Sequence, residues 1–567
     1  MSEMRPLAVD LSPRQKAVVV TGTLMALFVA AIDQTVVNTA LPRIIGELGG
    51  LSLFSWVITA YLLTSTVTVP LAGKLSDLYG RKPFLMAGVV LFTVTSVFAG
   101  LSQSMVQLIM ARAFQGVGAG LIMANAFATI GELFPPAQRA RYQGLFAAVF
   151  GLSSILGPLV GGALTDHLSW RWVFLVNIPF GVAALLVLGL AFPNMRRPHG
   201  ERHVDYAGGL MLIAVVVPLL LGLVWAGNRD YAWTSPRIVG LFATSAIALA
   251  AFIWIELRAV DPVLPPSLFR NRAFAMANLA AFFLGMVMFG VLSYMTLFVQ
   301  GVLGMSATNS GVTLMPTTVG MVIASVISGQ LLARVRVARP FLIAGAALLV
   351  GGMFLLSRMS EDTAYATAVR NMVLIGFGLG LTLPILNLVA QNALPYRQLG
   401  VASASSQFFR QIGGTLAVAV FGTLITSSVA DLPDRLPPEA QDAPAPLLEQ
   451  LREPNTLLSP EAVDRLRAGF ADLGANGSQV FEQSLAIMRS MLADGITEVF
   501  FAGMLAAAAL LVVTLLLPEV RLRTTVDFEE ASVAAPAPAA GPTPEPLAGA
   551  ALAEARPTAP RAGGGAS

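Results

Sequence analysis

The chain has 567 residues, of which 56% are hydrophobic and only 12% charged, with 35 basic against 32 acidic side chains and no cysteine. Soluble domains usually carry about twice that charged fraction. A net charge of +3 says little about nucleic acid, the basic residues being spread over loops, and the lack of cysteine excludes disulfides, thiolate metal sites and cysteine nucleophiles.

The apolar residues fall in blocks of about 20 separated by short charged loops, the pattern of an all-α, polytopic integral membrane protein. About fourteen spans are predicted, near 17–40, 53–73, 83–102, 105–129, 142–165, 172–192, 207–226, 237–257, 274–300, 310–333, 340–357, 367–390, 404–427 and 496–518. The first block is of span length and no small-residue cleavage site follows it, so it reads as a span and not a signal peptide. Every second loop is basic: Lys74, Arg81 and Lys82, then Arg139 and Arg141, then Arg196, Arg197 and Arg202, and at the far end Arg521 and Arg523. The alternate loops carry single residues such as Arg43, Arg171 and Arg358. This bias places the basic loops and both termini in the cytoplasm.

Three segments depart from the span pattern. Residues 194–206 are polar and basic, hold His199 and His203, and mark the join between two halves. Residues 429–495 are too polar to span; they read as an external loop with a Pro-rich opening and two short amphipathic helices. One carries Val463, Leu466, Phe470 and Leu473, the other Val480, Phe481, Leu485, Met488 and Leu492. From 519 onward the composition turns to Ala, Pro and Gly and predicts a disordered tail. The organisation is therefore 1–193, a linker with two extra spans at 194–273, a second half at 274–518, and the tail at 519–567. A faint repeat relates Pro135–Leu164 to Pro395–Leu424, as in repeated transporter bundles.

Charges at membrane depth are functional candidates. Asp33 lies in the first span, roughly 12 Å from its outer end, and Arg112 in the fourth, roughly 10 Å from the same face. Opposite charges at matched depth can pair, and a paired carboxylate that must at times lose its partner is a natural proton carrier. Between spans two and three, Gly73 permits close backbone approach at a helix end, Gly80 permits a sharp reversal, Arg81 and Lys82 hold the loop inside, and Asp77 faces this basic group from the end of a span. Asp77 is expected to dock on the amino-terminal end of the thirteenth span, around Ala402 and Ser403, where a helix dipole favours an anion. In the fifth span Gly157, Gly161 and Gly162 allow close packing, and Pro158 a bend. Candidate cavity residues are Gln34, Asn38, Tyr61, Gln115 and Asn125 in the first half. In the second they are Phe282, Met286, Phe289, Tyr294, Met315 and Asn387; aromatic and Met side chains suit flat, variable ligands. Glu132 and Glu256 read as interfacial, and Arg410 as internal or snorkelling. No nucleophile–base pair or metal-ligand cluster marks an enzyme.

Gly73-x-Leu75-x-Asp77-x-x-Gly80-Arg81-Lys82 resembles the signature loop of the major facilitator superfamily. Arg112-Ala-Phe-Gln115-Gly116-Val-Gly118 resembles that family's fourth-span motif linked to proton coupling. Gly144-x8-Ser153-x3-Gly157-Pro158-x2-Gly161-Gly162 resembles its antiporter motif, with Ser153 where the family usually has Gly. Trp170-Arg171-Trp172-Val-Phe174-x-x-Asn177-x-Pro179 resembles the fourteen-span drug:proton antiporter subfamily, as do the segments around Asp33 and around Arg410-Gln411-x-Gly413-Gly414. The second-half counterpart of the opening motif, from Gly329, has Ala333 where an Asp would be expected. The resemblance implies two six-helix bundles plus two linker helices, with Asp33 and Arg112 coupling protons. It implies a latch of Gly73, Asp77, Gly80, Arg81 and Lys82, and proton-driven export of amphipathic or cationic compounds from a bacterial cytoplasm. The proton gradient is then the energy source, with no soluble cofactor, and the protein works as a monomer. Residues 429–495 are the place for an envelope partner. Export of a lipid, siderophore or endogenous metabolite by the same machinery is the alternative.

Overall fold

The structure is a computed structural model that describes residues 11–48, 53–134, 136–192, 204–227, 231–303, 305, 307–395, 398–441, 443–452, 460–471 and 476–519. Most of the join at 194–206 and nearly all of the tail from 519 lie outside these residues. Among the described residues, fourteen helices are long and apolar enough to cross a membrane. The first group is α1 (Pro13–Leu48), α2 (Phe54–Tyr79), α3 (Arg81–Gly100), α4 (Met105–Leu133), α5 (Pro136–His167) and the pair α6 (Trp172–Leu175) and α7 (Asn177–Ala191). Next come α8 (Tyr206–Gly227) and α9 (Pro236–Glu256). The second group is α10 (Arg272–Leu297), α11 (Ala307–Val335), α12 (Arg339–Leu356), α13 (Tyr365–Asn392) and α14 (Leu399–Ser428), then four short helices and a last long one. The short ones are α15 (Leu432–Arg435), α16 (Pro438–Gln441), α17 (Ala445–Arg452) and α18 (Pro460–Ala471); the last is α19 (Gly477–Leu516).

These helices are apolar on all sides, so burial cannot satisfy them by packing alone. Leu190 stays 88% exposed and Ile247 71%, side chains that fit a lipid-facing surface and no aqueous one. In the first bundle α1 packs on α5 and α7, and α4 on α2 and α3; in the second α10 packs on α14, α11 on α13, and α12 on α13 and α19. The linker helices α8 and α9 pack on each other, and α8 also meets α14 and α2. Two seams join the bundles, α2 and α4 with α14, and α5 with α11 and α13. The segments of the faint repeat lie mostly in α5 and α14, one in each seam.

Two expectations are corrected. The second amphipathic pattern of 429–495 is no separate helix: it is the first part of α19, which runs unbroken for 40 residues into the last span. Nothing between Gly477 and Leu516 breaks a helix, there being no Pro, so the polar-to-apolar change leaves the backbone unchanged. The Pro-rich opening forms short helices, and these close with α18 and α19 on an apolar core that includes Leu432, Leu451, Phe470, Phe481 and Met488. The sixth span, expected as one run, is one span over Trp172–Leu190; the boundary between α6 and α7 falls at Val176, whose backbone stays helical at φ −59° and ψ −23°. Pro179 has no N–H to offer the preceding turn, and a proline is tolerated in a helix's first turn, where α7 begins.

Candidate functional site

Helices α1, α2, α3, α4 and α7 converge on Asp33, which is fully buried. Its Oδ2 accepts from Arg112 at 2.5 Å. Its Oδ1 accepts from Gln115 Nε2 at 3.0 Å and Asn177 Nδ2 at 2.8 Å. Gln115 also accepts from Arg112 at 2.6 Å and donates to Ser96 Oγ at 2.8 Å. The Arg112 guanidinium lies 4.2 Å from the Tyr61 ring centroid, a cation–π contact in a dry setting. The carboxylate is thus held by three donors and one full charge, with aromatic walls excluding water.

The second cluster is at the end of the bundle where α2 turns into α3. The turn is made by Gly80 with φ 97°, a left-handed conformation that a side chain would strain. Arg81 is fully buried. It is bonded to Asp77 and Ser76, donates to Glu132 Oε1 at 3.0 Å and reaches the Gly73 carbonyl at 3.4 Å. Asp77 in turn accepts from the backbone N–H groups of Gly400 and Val401, at 3.1 and 3.0 Å, in the first turn of α14. Gly73 and Gly400 face each other here, and a methyl group on either would collide with the opposite helix. Beside them Gln391 donates to Ser403 Oγ at 2.8 Å and to the Phe127 carbonyl at 3.4 Å, again joining the bundles.

Several expectations about this cluster change. Gly73 is not at a helix end, because α2 continues to Tyr79. Asp77 meets residues 400–401 and not 402–403, because α14 starts at Leu399. Lys82 points away and donates to the carbonyls of Gly189 and Phe192 at 3.1 and 2.5 Å, closing the end of α7. Glu132 and Glu256, both near helix ends, are buried in the protein: Glu132 has Arg81, and Glu256 accepts the N–H groups of Val263 and Leu264, each at 3.2 Å.

The remaining candidates scatter. Tyr61 donates to the Ala30 carbonyl at 3.3 Å and meets Gln34, so both border the Asp33 network. The side chain of Asn38 is outside the described residues, as is that of Pro158. Asn125 donates to its own helix at Leu121. Gly157 packs against Thr35 of α1, whose hydroxyl donates to the Ser153 carbonyl at 2.9 Å. Gly161 is buried, while Gly162 has open space around it. Phe289 packs against Gly414 and Tyr294 donates to the Val418 carbonyl at 2.9 Å, so both serve the α10–α14 contact. Phe282, Met286 and Met315 are half-buried. Asn387 is buried without a hydrogen-bond partner. Ser96 and Asn177 had not been singled out as site residues; the motif containing Asn177 was the available signal, and an unremarkable Ser in α3 carried none.

At the opposite end, Glu47 accepts from Trp170 Nε1 and Arg171, each at 2.5 Å. The Arg171 bond first, and the Trp170 bond second, hold this carboxyl below its ordinary value of 4.5. A depressed folded-state value means the clasp stabilises above the ordinary range and is lost as pH falls through it and below. Purified protein should therefore lose melting temperature on acidification below 4.5, and Glu47→Gln should lose less over the same interval. Equal losses would show that other groups set the acid limb.

The model of the Major Facilitator Superfamily matches residues 23–418. The multidrug transporter protein MdtP of Bacillus subtilis is 39% identical over 521 residues, which are 90% of this chain and 94% of that protein. Multidrug resistance protein 3 of the same organism is 34% identical, covering 90% of this chain and 96% of its own length. Among solved structures, the proton:xylose symporter XylE superposes with a TM-score of 0.56 at 15% identity, over 92% of this chain and all of that one. The last likeness speaks for the fold alone. Taken with the fourteen helices, the two bundles and the clusters that join them, these matches show that the chain belongs to the major facilitator superfamily, as a multi-pass membrane transporter and not an enzyme.

Proposed function

We propose that this protein exports amphipathic organic compounds, cationic ones among them, across a bacterial cytoplasmic membrane in exchange for protons, by alternating access. Two relatives bearing multidrug names support the substrate breadth. The observation that carries the coupling is the buried Asp33–Arg112 pair with its donors Gln115 and Asn177. A proton delivered to Asp33 removes the counter-charge of Arg112, and a buried cation without a partner is strongly unfavourable. The network must then rearrange, which links protonation to the positions of five helices. In this reading the end holding Asp77 and Arg81 faces the cytoplasm, with both chain termini on that side. Asp77, held by two backbone N–H groups at a helix start, latches it shut while Arg81 and Glu132 keep the carboxylate in place. The proton gradient is the energy source, no soluble cofactor takes part, and the monomer is the working unit. The described residues of the 429–495 segment, which build their own apolar core, offer an envelope partner a folded surface.

The test is export of a fluorescent lipophilic cation in inverted membrane vesicles with an imposed proton gradient. Uptake into the vesicles that stops when a protonophore collapses the gradient is the expected result. Uptake indifferent to the gradient overturns proton coupling, and no uptake of any such cation overturns drug export and makes a lipid the next substrate to try.

A further inference from the structure

Among the described residues, Arg81 and Arg112 are buried in the membrane region and Arg410 half-buried, and they differ in their partners. Arg81 and Arg112 each meet a carboxylate. Arg410 is bonded to Gln407 and, among the described residues, no ion pair includes it. It lies eleven residues into α14, about 16 Å from the helix start. That is near the middle of a hydrocarbon core about 30 Å thick, too deep for simple snorkelling.

Its surroundings are polar groups left over. A cavity of about 10 Å³, with room for roughly one water molecule, is bordered by Asn387, Ser406, Gln407 and Arg410 and has no acid in its wall. Asn387 is 7% exposed, and both its amide oxygen and its amide nitrogen lack a partner, as do Ser406 Oγ and Gln411 Oε1. Phe127 of α4 forms part of the same wall, and Gln407 and Gln411 reach Met123 of α4 through weak N–H···S contacts of 3.7 and 4.0 Å. The polar stripe of α14 therefore faces the other bundle. Its backbone is fixed from behind: Gly285 of α10 lies against the Arg410 carbonyl and Gly413 against that of Phe282, so closely that a methyl group would collide at either place.

Buried polar atoms without partners mark a position that water or a ligand fills for part of the time. An ionisable residue kept at this depth without a counter-ion points the same way. The missing partner has a definite chemistry. A guanidinium presents a planar fork that matches a carboxylate with two parallel bonds, and the Asn387 amide adds a donor beside it. We propose that Arg410 and Asn387 form a subsite for the anionic group of the transported molecule, so that substrates include amphipathic carboxylates and zwitterions and not cations alone. The word transported rests on the export reading above; the subsite rests on the cavity.

The experiment uses the purified full-length protein and two fluorescent probes, a quinolone with a free carboxylate and its methyl ester. Wild type should bind the carboxylate form more tightly. Arg410→Gln should weaken that binding by about tenfold or more, as loss of a charge-assisted pair does, and leave ester binding unchanged. Arg410→Lys, which keeps the charge without the fork, should recover part of the loss, and Asn387→Ala should show the same selectivity in smaller measure. Equal weakening of both probes in all variants, or no weakening in any, overturns the subsite. The same probes are followed in vesicles. Arg410-dependent binding without gradient-driven transport leaves the subsite and removes the export reading. Transport of a lipophilic cation with no binding of the carboxylate keeps export and overturns the subsite.

Discussion

Asp33→Asn should reduce gradient-driven efflux to that of vesicles lacking the protein, while downhill equilibration of the same probe persists. The substitution keeps the size of the side chain and its hydrogen-bonding capacity toward Gln115 and Asn177. It removes the charge opposite Arg112 and the site that a proton can occupy. Losing one member of a buried pair costs about 3–5 kcal/mol, so the amount of folded protein must be measured alongside. Asp33→Glu, which restores the carboxylate at a slightly different reach, should recover measurable gradient-driven transport. If Asp33→Asn protein still drives efflux uphill at a normal rate, the proton is carried elsewhere and the pair is structural.

Arg81→Leu should be the most damaging single change in the other cluster. The guanidinium sits between Asp77 and Glu132, so its removal takes a shared cation from two buried carboxylates, at about 3–5 kcal/mol. Glu132→Gln takes away one acid and keeps a hydrogen-bond acceptor, and should cost about 1–3 kcal/mol. The melting temperature of purified protein should fall in that order. Because the chain has no native cysteine, a single Ser403→Cys reports on the seam directly. Ser403 is buried beside Gln391, and maleimide labelling there should be slow in the parent and faster by about tenfold or more in the Arg81→Leu background, since each 1.4 kcal/mol is a factor of ten. Unchanged labelling would show that the seam holds without the charges.

The parts of the fold that were legible in the sequence are those set by one dominant force. Apolar blocks of membrane length give helices whatever their neighbours are, and the fourteen expected are present among the described residues. The charges at Asp33 and Arg112 stood out because nothing else excuses an ion at that depth. What was not legible depends on a third dimension. Glu132 looks like any acidic residue near a helix end until α3 brings Arg81 against it. Gln115 was named for a cavity, yet it is the link between Arg112, Asp33 and Ser96. Helix ends were short by several residues, since hydropathy falls before the backbone stops being helical. The start of α14 at Leu399 and the length of α19 were both missed for that reason.

The two seams are unequal in kind. Between α2 and α14, Asp77 carries formal charge across and is met by two N–H groups. Between α5 and α11, the described contacts are of another sort: Gly151 lies under Thr318, Gly144 faces Ser325, and Ser325 spends its hydroxyl on the Gly380 carbonyl of its own bundle. Ala333 stands where a second aspartate would complete the symmetry. Charge-changing substitutions therefore act directly on the contact between α2 and α14, whereas the contact between α5 and α11 answers to side-chain volume; α5 carries charge to the other bundle through Arg139, which donates to Gln391 of α13 at 3.5 Å.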